Sequence, residues 1–194
     1  CGKHSSLCNQ ESVGKDLPAV FYYGPEGASA KRKRHTGPVS YHSLSQWLPK
    51  TMADFSKVLV DDSAARKWLA SDDTVPHAIF FTDRKSTPPL IKTLSLEFRG
   101  RAAIGIVLSA EGAGAGLAAR FGVTKRPALL HILDEDTFES NPFDGRLQKD
   151  SMSYFLSRAV GKHRSASNAA LRELTPVRLK NGDCGPGDSN FCLL

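Results

Sequence analysis

Leu117-Ala-Ala-Arg-Phe-Gly-Val-Thr-Lys-Arg-Pro-Ala-Leu-Leu130 decides the reading of this chain. Its first half is a short apolar helix with a glycine stop at Gly122, where a left-handed residue closes the last turn. Its second half opens an apolar run, Ala128 to Leu133, of strand length. Pro127 at the junction fixes its own backbone and restricts Arg126 before it.

Working outward, the same alternation recurs. His77-Ala-Ile-Phe-Phe-Thr82 and Ala102-Ala-Ile-Gly-Ile-Val-Leu108 are continuous apolar runs, the pattern of strands buried on both faces. Val58-Leu-Val60 reads as a shorter strand. Asp61 and Asp62 are placed to cap a helix carrying Ala64, Ala65, Trp68 and Leu69 inward. Pro88-Pro89 suits the first turn of a helix that runs through Leu90, Ile91, Leu94 and Phe98 and stops at Gly100. Phe143 to Leu147 reads as an edge strand. Ser151 to Val160 reads as a closing helix with Met152, Phe155, Leu156 and Ala159 inward. The order from 57 to 160 is β-α-β-α-β-α-β-β-α, an α/β domain with a central mixed sheet flanked by helices.

Before that domain, Leu17 to Tyr23 is an apolar, aromatic run bounded by Gly24-Pro25, and Ser40 can cap a helix through Leu48, which Pro49 is expected to end. Between them Ala30-Lys-Arg-Lys-Arg-His35 is the densest basic cluster. The net charge is +6, and a nucleic-acid surface needs clustered charge. A run this short between an apolar segment and a Thr36-Gly-Pro turn fits an exposed hairpin, so a nucleic-acid partner is not expected; use of residues 31–34 on nucleic acid stands as an alternative. No apolar run approaches the ~18 residues that cross a bilayer.

The element order, and the aromatic-Gly-Val stretch followed by a strand-opening proline, resemble the thioredoxin superfamily. Specifically, the chain resembles a thioredoxin-like domain of a protein disulfide isomerase-type or DnaJ–thioredoxin multi-domain protein. That resemblance implies a cis Pro127 facing the functional end of the sheet. It also implies a Cys-x-x-Cys at the start of the helix after the second strand, where the helix N-terminus would lower the first thiol's pKa. Counting on from Phe80-Phe81, those positions fall on Lys85-Ser86-Thr87-Pro88. None carries a thiol, and no base is placed by sequence to activate Ser86 or Thr87. N-capping is the expected role of both hydroxyls. Free amides at the helix start, with Arg84, Lys85 and Arg126 around them, could receive an anion or an acidic segment.

Residues 1–50 read as the C-terminal half of a preceding copy, with Pro18 in the place of Pro127. Residues 53–163 read as one complete thioredoxin-like domain without its cysteine pair. Residues 164–194 read as a linker and the start of a possible next domain, ending in Phe191-Cys-Leu-Leu. Four cysteines, Cys1, Cys8, Cys184 and Cys192, allow three disulfide pairings and do not match zinc-ligand spacing. The six histidines are dispersed, so no metal or other cofactor is expected. No residue is assigned a catalytic role. The expected function is a redox-inactive module that takes unfolded polypeptide or a protein partner at Arg84, Arg126 and Pro127, in the endoplasmic reticulum lumen or secretory pathway. The alternative is the supporting part of an oxidoreductase whose active cysteines lie outside these residues.

Overall fold

The computed structural model describes residues 5–10, 13, 17–25, 32–71, 74–108, 113–134 and 137–169. Their elements are α1 (Ser5–Gln10), β1 (Phe21–Tyr22), β2 (Lys33–Arg34), α2 (Tyr41–Thr51), β3 (Lys57–Val58), α3 (Asp62–Leu69), β4 (His77–Thr82), α4 (Pro89–Glu97), β5 (Ala103–Leu108), α5 (Ala113–Arg120), β6 (Ala128–Ile132), β7 (Ser140–Pro142) and α6 (Lys149–Ala169).

Five strands form a mixed sheet in the order β3-β5-β4-β6-β7. β3, β5 and β4 are mutually parallel, joined by helical crossovers; β6 and β7 are antiparallel. The side-chain alternation of a strand sends β4 into two cores. Ile79 and Phe81 pack with Leu59, Leu69, Leu117 and Phe121 on the α3–α5 face. Ala78 and Phe80 pack with Ile91, Leu94, Phe98, Met152 and Leu156 on the α4–α6 face. Each fully buried Leu, Ile or Phe contributes about 1.5–3 kcal/mol relative to exposure, so both cores are needed to hold the sheet. Gly105 sits where a Cβ would lie 2.7 Å from Leu59 Cδ1 and 2.9 Å from the Trp68 ring, so glycine lets α3 close onto β5.

The caps follow the sequence. Asp61 Oδ1 accepts the Ala64 amide at 2.7 Å, and Ser40 Oγ accepts the Ser43 amide at 3.2 Å.

Three readings are corrected. The edge strand is Ser140–Pro142 rather than 143–147. Its last rung is Phe143 N–H to the Leu129 carbonyl at 2.9 Å; the chain then turns at Gly145, which lies beneath the Phe143 ring. Phe143 and Leu147 are apolar because they pack on the α4–α6 core, not because they pair. Pro49 does not end α2, which runs to Thr51. Pro49 forfeits its own amide and crowds the Ser45 carbonyl, but the turn beyond it holds, since Met52 N–H reaches the Leu48 carbonyl at 2.9 Å. Finally, neither Ser86 nor Thr87 caps α4; the cap position is Pro88, with no side-chain bond.

The N-terminal hairpin and helix reproduce the C-terminal ones residue by residue. Phe21 opposes Arg34 and Tyr22 opposes Lys33 in β1–β2; Leu130 opposes Pro142 and His131 opposes Asn141 in β6–β7. His35 N–H reaches the Val20 carbonyl at 2.9 Å, as Phe143 N–H reaches Leu129. The His35 and Trp47 rings lie 5.0 Å apart at 54°, the Phe143 and Phe155 rings 5.2 Å apart at 56°.

Candidate functional site

Because β4 and β6 run antiparallel with Phe81 opposite Ala128, the chain leaving β4 and the chain entering β6 meet at one end of the sheet. Residues 83–88 and Lys125–Pro127 therefore share that end. The Arg126–Pro127 and Leu17–Pro18 peptide bonds are both cis. Arg126 Nη1 donates to Asp83 Oδ1 at 2.9 Å, tying the two segments together. Asp83 to Ser86 are exposed, and the Arg84 amide turns back onto Thr82 Oγ1 at 3.3 Å.

Thr87 is engaged elsewhere. Its hydroxyl faces the Asp54 carboxylate and helps keep it ionised. Asp54 Oδ1 also accepts the Ser56 hydroxyl at 2.6 Å and the Ser56 amide at 3.0 Å. Partial burial opposes ionisation of Asp54. The Ser56 and Thr87 hydroxyls, the Ser56 amide and the Lys92 charge outweigh it, and hold the carboxyl below its ordinary value. Lys92 Nζ donates to the Pro49 carbonyl at 3.0 Å, and Phe55 N–H to Ser95 Oγ at 3.1 Å. The segment from Pro49 to Ser56 is thus fastened along α4.

The start of α4 is poorer in donors than sequence suggests. Pro88 and Pro89 have no amide hydrogen, and Ile91 N–H already bonds the Pro88 carbonyl at 3.0 Å. Leu90 is left as the first-turn donor, so the expected anion cradle shrinks to one amide. A carboxylate held below its usual pKa is a weak base, and a threonine hydroxyl facing it is not a nucleophile at neutral pH.

Of the residues expected at this site, Arg84, Lys85, Ser86, Thr87, Pro88, Arg126 and Pro127 do share one end of the sheet. Pro18 lies elsewhere, on a groove of 610 Å³ lined by Leu17, Ala19, His35 and Val39 among others. Sequence reasoning missed Asp54, Asp83 and Lys92. Only Asp83 had a local signal, its place in the polar loop after β4; the other two act through contacts 33 and 43 residues away in sequence. Lys33 and Arg34 form β2 and are exposed, and the Arg32 and Arg34 guanidiniums lie 5.5 and 5.8 Å from the Phe21 ring centroid. Cys8 is disulfide-bonded; Cys1, Cys184 and Cys192 lie outside the described residues. Among the described residues no three His, Cys, Asp or Glu side chains gather to hold a metal. No described helix is long and apolar enough to cross a membrane.

Two crystal structures of ERdj5 share this architecture. One crystal form superposes with a TM-score of 0.55 at 16% identity, over 84% of this chain and 22% of ERdj5. The full-length structure gives 0.50 at 16% identity, over 83% and 24%. The fold is thioredoxin-like. A Dictyostelium discoideum protein named "Putative protein disulfide-isomerase" is 22% identical over 160 residues, which are 80% of this chain and 38% of that protein. The thioredoxin-like chain therefore spans well under half the length of each of these relatives. No protein-family model matches it.

Proposed function

We propose that residues 53–163 are a redox-inactive thioredoxin-like module that docks unfolded polypeptide or a protein partner within a disulfide-isomerase-type protein. The observation that carries this reading is the loop between β4 and α4. Where the fold would place its cysteine pair stand Lys85, Ser86, Thr87 and Pro88, none of which carries a thiol. The loop is exposed at Asp83–Ser86 and half-buried at Thr87 and Pro88. Arg84 and Arg126 supply positive charge beside Pro127, and Asp83 neutralises part of it. An acidic or extended segment would exchange places with Asp83 on the Arg126 guanidinium. The disulfide at Cys8 supports an oxidising compartment, for which we propose the endoplasmic reticulum lumen.

The test is fluorescence anisotropy of labelled, reduced and carboxymethylated α-lactalbumin, an unfolded acidic polypeptide, titrated with the chain. Saturable binding that weakens about 3- to 10-fold in Arg126→Glu is expected, the scale of 1 kcal/mol or so for an exposed pair. Binding unchanged by Arg126→Glu and by Arg84→Glu would remove this face from the account.

A further inference from the structure

The N-terminal repeat has a side that its C-terminal counterpart keeps covered. In β6, residues 129 and 131 face β7 through their backbone groups, as the Phe143–Leu129 bond shows, so Leu130 turns its N–H and C=O toward β4. β1 has the same register: Val20 and Tyr22 face β2, and Phe21 turns its N–H and C=O away from it. Among the described residues β1 pairs with β2 alone.

The side chains tell the same story. Met152 and Leu156 on α6 are 0% and 1% exposed, because Phe80 of β4 and Ile91, Leu94 and Phe98 of the α4 segment cover them. Their counterparts on α2 are Leu44, half-buried, and Leu48, 42% exposed. Val20 is half-buried where Leu129 is buried. An aromatic, apolar strand and an apolar helix face have core composition without a core on that side.

We infer that β1 is an interior strand, and that a βα unit of the β4–α4 kind, in the same polypeptide and preceding α1, completes it. Its strand would run antiparallel to β1 and bond the Phe21 amide and carbonyl. Its helix would lay an Ile/Leu/Phe face on Leu44 and Leu48. The same-polypeptide source follows from the repeat, since β4 and α4 precede α5 just as the missing unit would precede α1. The relatives also extend well beyond the part this chain matches. This inference does not rest on the peptide-docking reading, and loss of α-lactalbumin binding would leave it standing.

Hydrogen–deuterium exchange of residues 1–194 and of the natural full-length polypeptide tests it. The Phe21 amide should exchange at least about tenfold more slowly in the full-length polypeptide. In parallel, Leu48→Asp should leave the melting temperature of residues 1–194 nearly unchanged and lower that of the N-terminal unit in the full-length polypeptide by several degrees. Equal exchange in the two forms would overturn the inference. So would protection of residues 1–194 that grows with protein concentration, which makes a second copy the occupant. Protection that appears only on adding carboxymethylated α-lactalbumin would make a client the occupant, and a natural polypeptide with no βα unit before α1 would end the matter.

Discussion

Replacing Thr87 by valine keeps the shape of the side chain and removes the hydroxyl that favours the ionised Asp54 carboxylate. A hydrogen bond to a charged group contributes about 1.5–3 kcal/mol when sheltered. Asp54 is exposed and keeps Ser56 as a partner, so water can replace much of what Thr87 supplies, and the expected loss is about 1 kcal/mol. For a chain of this size that is roughly 2–4 °C in melting temperature. The loss should depend on pH in a definite sense. The folded carboxyl lies below its ordinary value of 3.8, so its contribution is present above pH 3.8 and is lost as pH falls through the folded value. Thermal unfolding of the wild type, Thr87→Val, Asp54→Asn and the double variant at pH 7 would measure it. The two single losses should fail to add, since Asp54→Asn weakens the same bond. Full additivity, or an undiminished Thr87→Val loss below the folded carboxyl's pKa, would refute the claim that Thr87 works through Asp54.

Other outcomes follow from the same geometry. Gly105→Ala should destabilise the chain by about 1–3 kcal/mol in denaturant titrations, because its Cβ meets Leu59 and Trp68 across a filled core; Gly116→Ala, with open space around it, should be neutral or stabilising. Burial first, then the nearby Lys162 and His163, hold the His131 imidazole below its ordinary value of 6.5. Stability should therefore decline as pH falls from 6.5 toward the folded value, and His131→Phe should remove that part of the slope. Asp83→Asn should strengthen binding of the acidic polypeptide about 2- to 5-fold in the same anisotropy titration, because Asp83 holds the Arg126 guanidinium at 2.9 Å in competition with the ligand; weaker binding would count against that exchange.

The architecture was legible because the strands 77–82, 103–108 and 128–132 are apolar at most positions of both faces, with only His77, Thr82 and His131 polar, a pattern that a sheet covered on both faces explains. Asp61 and Ser40 announced their helices through local chemistry. The edge strand was misplaced because Phe143 and Leu147 carry a burial signal, and burial does not distinguish pairing in a sheet from packing on α6. Pro49 misled because a proline near the end of a helix costs one bond in a segment whose remaining bonds are intact. At the site, the residue types at 85–88 could be read directly. Their neighbours could not: Asp54 reaches Thr87, and Lys92 reaches Pro49, across separations for which sequence offers no periodicity.

The central claim is that residues 1–194 perform no thiol exchange, since Lys85–Pro88 stand where the fold would place its cysteine pair. Turbidimetric reduction of insulin by dithiothreitol, with and without residues 1–194, tests it most directly. The expected rate equals that of dithiothreitol alone, for the wild-type chain and for a variant with Cys1, Cys8, Cys184 and Cys192 changed to serine. Acceleration by the wild-type chain that the serine variant lacks would contradict it, since it would place working thiols within these residues.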